Sequence, residues 1–164
     1  MTTSMERLQF MIGEWDIQAQ TMAENGQWIA STQPTHTVIE PVFGGIFLEE
    51  KEVLMTMNGV TIRFFIMWSY DKYREIYRMI ASDDQDGLTD VLEGGYDNNT
   101  QSNTIVVSNL NTGTSVQDAQ GNHAYLRLSS TKNTEDSFTD EMHESYDGGK
   151  NWLAVYRAVH TRKL

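Results

Sequence analysis

Four histidines, His36, His123, His143 and His160, are the side chains of this sequence best suited to proton transfer or metal ligation near neutral pH. None falls in a tight ligand motif such as His-Glu-x-x-His, so any site built on them must be assembled from distant strands. Glu141 and His143 stand two apart, which places both on one face of a strand and makes His143 a pocket candidate. Glu50 is a second. If Ile46 and Leu48 point inward, alternation brings Glu50 and Glu52 inward too, whereas the opposite register buries Phe47, Val53 and Met55, and the sequence leaves both open. Arg78 is a third, because it shares the even parity of Ile76 and Ile80. An inward arginine needs a carboxylate, a carbonyl or a ligand anion, so Glu50, Glu93 or a bound anion would be its partner. Together Glu50, Arg78 and His143 have the types needed to move protons on a bound molecule.

Other chemistries find no support. The chain has no cysteine, which removes disulfides, thiolate catalysis and Cys-based metal sites. No Gly-x-Ser-x-Gly is present, and Gly44-Gly45 and Gly94-Gly95 lack the spacing and strand-to-helix context of a phosphate-binding loop. The run Ser82-Asp83-Asp84-Gln85-Asp86-Gly87 has carboxylates but no twelve-residue calcium loop with its final glutamate. Twelve Lys plus Arg against 23 Asp plus Glu leave a net charge of -11, which repels nucleic acid and anionic membranes. No cofactor is expected. The N-terminus has no basic region followed by an apolar run, and no stretch approaches a membrane span, so a cytoplasmic location is the expectation.

These side chains must be held by strands. Only the first dozen residues suggest a helix, with Ser4 as a possible cap and Met5, Leu8 and Ile12 pointing one way. After Gly13 the chain alternates Val, Ile, Thr and aromatic-rich segments with turns such as Glu24-Asn25-Gly26, Asn58-Gly59, Asp83 to Gly87, Asp97 to Asn103 and Asp147 to Lys150. Strands are expected near 14–23, 27–40, 46–57, 60–70, 74–82, 88–97, 103–110, 121–132, 136–146 and 151–161, with Pro34 forcing a bulge, an edge or a split in the second. In the fourth, Val60, Ile62, Phe64, Ile66, Trp68 and Tyr70 alternate and should face inward, leaving Phe65 and Met67 on the other face for a helix or a partner subunit. Antiparallel neighbours with no free edge predict one domain over residues 1–164, a single up-and-down barrel of about 8–10 strands, with a sandwich as the alternative.

The order of short motifs resembles a bacterial family of uncharacterised lipocalin-like domains of the calycin superfamily. The likeness runs over nearly the whole chain: a short helix, Gly13-Glu14-Trp15, Gly44-Gly45-Ile46-Phe47-Leu48, Tyr70-Asp71 with Tyr73, then Ser145-x-Asp147-Gly148-Gly149-Lys150-x-Trp152, and a closing Thr161-Arg162. The resemblance implies a barrel whose base is closed by Trp15 stacked against an arginine of the last strand, Arg162 or Arg157. It implies no established activity. A haem-binding branch of the superfamily shares the Gly-x-Trp, but its fuller Gly-x-Trp-x-Gly-x-Gly is not kept here, where Asp16, Ile17 and Gln18 follow Trp15. An axial ligand would otherwise fall to His143 or His160.

The segment Ser145 to Trp152 also resembles the hairpin box of sialidase-type propellers, but a single copy with no blade repeat argues against that architecture. Ser145, Asp147, Gly149 and Trp152 are expected to fix a turn, with Asp147 accepting turn N–H groups. Three readings of function follow. The first is a barrel binding a small hydrophobic or amphipathic ligand among Trp28, Phe64, Ile66, Trp68, Tyr77 and Tyr125. The second is an enzyme working on such a ligand through Glu50, Arg78 and His143. The third is a filled barrel that forms a homodimer through Phe65 and Met67.

Overall fold

The turn-punctuated β pattern folds into a closed antiparallel barrel. A computed structural model describes residues 4–57, 59–97 and 103–164, so Asn58 and part of the expected turn from Asp97 to Asn103 lie outside the described residues. The strands are β1 (Gly13–Met22), β2 (Trp28–Ala30), β3 (Thr35–Val42), β4 (Phe47–Met57), β5 (Val60–Asp71) and β6 (Ile76–Asp83). They continue as β7 (Thr89–Tyr96), β8 (Asn103–Ser108), β9 (Val116–Gln117), β10 (His123–Thr134), β11 (Ser137–Ser145) and β12 (Leu153–Arg162). Ten of them run round the wall in the order β1, β3, β4, β5, β6, β7, β8, β10, β11, β12, and β12 pairs back onto β1. The short β2 and β9 pair with β1 and β10 respectively. Closure removes the two outer edges that an open sheet of this size would present, leaving a stretch of β4 beyond Lys51 unpaired on its β3 side. The expected second strand is split around Pro34 into β2 and β3, as a residue lacking an N–H requires.

The base is plugged by the N-terminal segment. The expected short helix is a 3-10 turn, Glu6–Met11, whose period of about three residues buries Leu8 and Met11 together. Ser4 does not cap it. Its carbonyl instead accepts the Tyr77 hydroxyl at 2.7 Å. Trp15 is fully buried, donates its indole N–H to the Met11 carbonyl at 2.7 Å and meets Phe138 edge-on at 4.8 Å between ring centres. Burying side chains of this size is worth roughly 1.5–3 kcal/mol each. The guanidinium of Arg162 lies 4.3 Å over the Trp15 ring and donates to the Ile12 carbonyl at 3.0 Å. This explains the Gly-x-Trp: Gly13 has φ 146°, and a Cβ there would collide with the Arg162 guanidinium. Of the two arginines considered for the base, Arg162 takes the place; Arg157 sits on the outside.

Register fixes which side chains enter the lumen. On β5 the even residues face in, pairing Ile66 with Glu50, Trp68 with Leu48 and Phe64 with Val53. A bulge at Glu52, whose φ is 61°, shifts the parity of β4, so Leu48 and Glu50 point inward before it and Val53 and Met55 after it. The two registers left open in the sequence each hold for half of the strand.

Candidate functional site

The lumen is packed at the base and loosens toward the other end. Ile39, Leu48, Trp68, Tyr77, Leu92, Ile105 and Phe138 are buried, whereas the inward-facing Met55, Ile62, Phe64, Ile66, Met142 and Tyr156 are only partly so. An inward side chain can keep exposure only to space within the barrel or its mouth. That space opens where two strands part. β3 pairs with β4 only from Val38 to Val42, and beyond the Glu52 bulge β4 continues on β5 alone. The gap is a cavity of about 670 Å³ lined by β1 (Ala19, Thr21), by the β2 to β3 stretch (Ile29 to His36), by β4 (Glu52, Met55) and by Tyr156.

Above the plug the lumen carries a polar group set in apolar surroundings. Glu50, 7% exposed, accepts the Trp68 indole N–H at 2.6 Å through Oε1. Asp140 enters from β11, four strands away round the wall, and its Oδ1 accepts the Ser130 hydroxyl at 2.5 Å. Its Oδ2 lies 4.0 Å from Nε2 of His160, which is 3% exposed and stacked flat on Phe138 at 3.9 Å. Burial, and then the negative charge of Asp140, push the Glu50 carboxyl up to about 8 against the pull of the Trp68 hydrogen bond. Burial also raises Asp140, with His160 and Ser130 opposing, and lowers His160. Burial and the charge of Asp140 push the Tyr156 hydroxyl up to about 12. Burial and the charge of Asp140 together keep a proton on Glu50 near neutrality.

The other sequence candidates divide between lumen and outer wall. Phe64, Ile66, Trp68 and Tyr77 face inward. Arg78 does not: on β6 the odd residues Tyr77 and Met79 enter the lumen, and Arg78 lies outside, paired with Glu93 at 2.6 Å and Asp71 at 3.2 Å. His143 is also outside, 3.1 Å from Glu141, whose other oxygen takes Arg157 at 2.8 Å. The pairing of Glu141 with His143 is therefore real but on the wrong face for a pocket, and Glu50, Arg78 and His143 are not brought together. Trp28 stacks under Arg157 at 4.3 Å on the outer wall, and Tyr125 has the parity opposite to the inward Leu126 and Leu128 and stacks on His123. On the outer face Met67, Ile80 and Val91 align across β5, β6 and β7, with Phe65 beside them 48% exposed.

The hairpin between β11 and β12 is held from within. Asp147 accepts the Ser145 hydroxyl at 2.8 Å, the Asn151 N–H at 2.9 Å and the Asn151 amide at 2.7 Å, which hold its carboxyl down at about 2. The Ser145 hydroxyl in turn accepts the Gly149 N–H at 2.8 Å. Trp152 packs under the Arg127 guanidinium at 4.5 Å.

Asp140, Tyr156 and Ser130 escaped the sequence reading, although Asp140 is flanked by Phe138 and Met142 at the same parity, a signal for an inward carboxylate. Neither histidine fits the axial role a haem would require: His143 is outside, and Nε2 of His160 faces the Asp140 carboxylate rather than an open slot. No group of three or more metal-ligating side chains converges among the described residues. None of the described helices is long and apolar enough to cross a membrane.

No protein-family model matches the chain, and no curated protein does. The crystal structure of Rv2717c from M. tuberculosis is similar over 100% of both chains, with a TM-score of 0.50 and 12% identity. A likeness at that identity speaks to the fold, and the fold common to the two is a closed antiparallel β-barrel.

Proposed function

We propose that this is a lipocalin-like binding protein that takes a small amphipathic molecule into the barrel through the gap between β3 and β4. The observation that carries the reading is the cavity of about 670 Å³ whose floor is made of inward-facing barrel residues, Ala19, Thr21, Met55 and Tyr156. Its volume lies in the range of sites that enclose small molecules, and its lining mixes apolar side chains with a few polar ones. The motif order shared with lipocalin-like domains supports the same reading by analogy of fold. Titration with octanol, followed by native mass spectrometry, tests it. Wild-type protein takes up the alcohol and Ala19→Trp, which fills the cavity from β1, loses at least about tenfold in affinity while still unfolding cooperatively. Equal uptake by both would place the alcohol elsewhere and end the proposal.

A second reading is favoured by the outer apolar row of Met67, Ile80 and Val91 with Phe65, which suits self-association through β5 to β7. Sedimentation velocity of wild type and Phe65→Lys tests it; a monomer in both cases removes it.

A further inference from the structure

The hydrogen-bonding inventory of the lumen is lopsided. Ser130 and Trp68 spend their donors on Asp140 Oδ1 and Glu50 Oε1. What is left over accepts: Glu50 makes no other hydrogen bond among the described residues, and Asp140 Oδ2 has only His160 at 4.0 Å, beyond bonding reach. His160 is 3% exposed, its Nε2 lies toward Asp140, and its Nδ1 is wholly buried with no hydrogen-bond partner within reach among the described residues. A polar ring that deep is ordinarily satisfied. Tyr156, which lines the cavity on the mouth side of this group, can turn its hydroxyl to donate or accept. The contrast with Asp90 is informative. That buried acid receives Thr114 at 2.5 Å on one oxygen and the Asn109 amide at 3.1 Å on the other, so both of its oxygens are engaged in clamping a turn.

Charge points the same way. Among the described residues the basic side chains on inward strand positions are Lys132 and Arg162, both at the base, where Lys132 pairs with Glu135 and Arg162 covers Trp15. The charged group that acts on Glu50 is Asp140 on β11, and Asp140 in turn is faced by His160 and Tyr156 on β12. The side chains beside it on β3 and β5, Ile39, Thr37, Ile66 and Trp68, carry no charge. Asp140 faces inward yet its side chain keeps 15% exposure, so there is room beside it. A buried pair of acids with spare acceptors and no cation is complemented by a compact group that brings both positive charge and several N–H donors.

We propose that Glu50, Asp140 and His160 form the head-group site of the barrel and take a primary ammonium carried on a short apolar body, which lies in the cavity between Ala19, Met55 and Tyr156. The proposal rests on the binding reading above and names its ligand class. In the empty barrel Glu50 holds a proton; an ammonium beside it favours the carboxylate, and binding releases that proton to solvent. No covalent step is involved.

A matched series of octylamine, octanol and octanoate, titrated calorimetrically into the full chain at about pH 7.5, tests it. Octylamine is expected to bind at least about tenfold tighter than octanol, and octanoate more weakly than octanol. Repeating the octylamine titration in buffers of different ionisation enthalpy should show net proton release, whereas octanol should show none. In the double variant Glu50→Gln, Asp140→Asn the amine should fall to the affinity of the alcohol, with octanol unchanged. If octylamine binds no tighter than octanol, or releases no proton, the head-group assignment is wrong while barrel binding stands. If none of the three binds, both are wrong. The wild-type measurements alone decide the matter should the double variant fail to fold.

Discussion

The indole N–H of Trp68 donates to Oε1 of Glu50 at 2.6 Å inside a lumen where, among the described residues, no cation pairs with that carboxyl. The pair ties the β4 strand to β5 and exposes the cost of the arrangement to a simple titration. In the folded protein Glu50 holds its proton up to about pH 8; its ordinary value is 4.5. Between those values the folded state binds more protons than the unfolded one. The contribution of Glu50 is therefore complete below about pH 4.5, declines as pH rises through about 8 and is flat beyond. Glu50→Gln keeps an acceptor for Trp68 and removes the ionisation, so its melting temperature should fall less than that of wild type between about pH 5 and pH 9. Parallel curves in calorimetry would show that Glu50 is ionised throughout.

At the acid end the sign reverses. Asp71, held down by Arg74 and Arg78, and Asp147, held down by Asn151 and Ser145, both sit at about 2 against an ordinary 3.8. Their contribution is present above about 3.8 and is lost as pH falls through about 2. Asp147→Asn should flatten the acid limb of a melting-temperature profile; an unchanged limb would mean that its hydrogen bonds do not persist in solution.

The base is predicted to be a stability element. Arg162→Ala removes the cover over Trp15 and the hydrogen bond to the Ile12 carbonyl, and should cost about 1–3 kcal/mol in urea unfolding. Gly13→Ala forces both a collision with Arg162 and an unfavourable φ, and should cost at least as much. Wild-type stability in either variant would refute the capped base.

The outer-wall ion pairs should be dispensable for binding. Arg78→Ala and His143→Ala are each expected to change stability by about 1 kcal/mol or less and to leave octanol uptake unchanged. Tyr156→Ala, in the cavity floor, should alter uptake. The reverse pattern would put the site on the outer wall.

Gly149 has φ 85° and its missing Cβ would press on Leu110, so Gly149→Ala should cost about 1–3 kcal/mol in unfolding by urea without affecting ligand uptake. A neutral result would mean the hairpin does not set the β11 to β12 register.

Much of the wall was legible because turn chemistry is local. Asn25-Gly26 and Asp83 to Gly87 mark hairpins, Pro34 marks the split between β2 and β3, and the alternation from Val60 to Tyr70 declares the inward face of β5. The site was less legible because it depends on parity. One bulged residue, Glu52, reverses the face of all that follows it in β4, and nothing in its type announces that. Arg78, read with Ile76 and Ile80 as inward, belongs to an outer face that is itself apolar, so hydrophobic alternation pointed the wrong way. Glu141 and His143 were noticed as a pair, whereas Asp140, one position away, is the carboxylate that enters the lumen.

The binding reading and its head-group site meet at one resonance. Of the four tryptophans, Trp28 and Trp152 stack under arginines on the outer wall, Trp15 closes the base and Trp68 bonds to Glu50 in the lumen. In a proton–nitrogen correlation spectrum of wild-type protein titrated with octylamine, the Trp68 indole signal should shift most, with Trp28 and Trp152 nearly still. Movement confined to Trp28 or Trp152, or an unshifted Trp68 at saturation, would contradict the account.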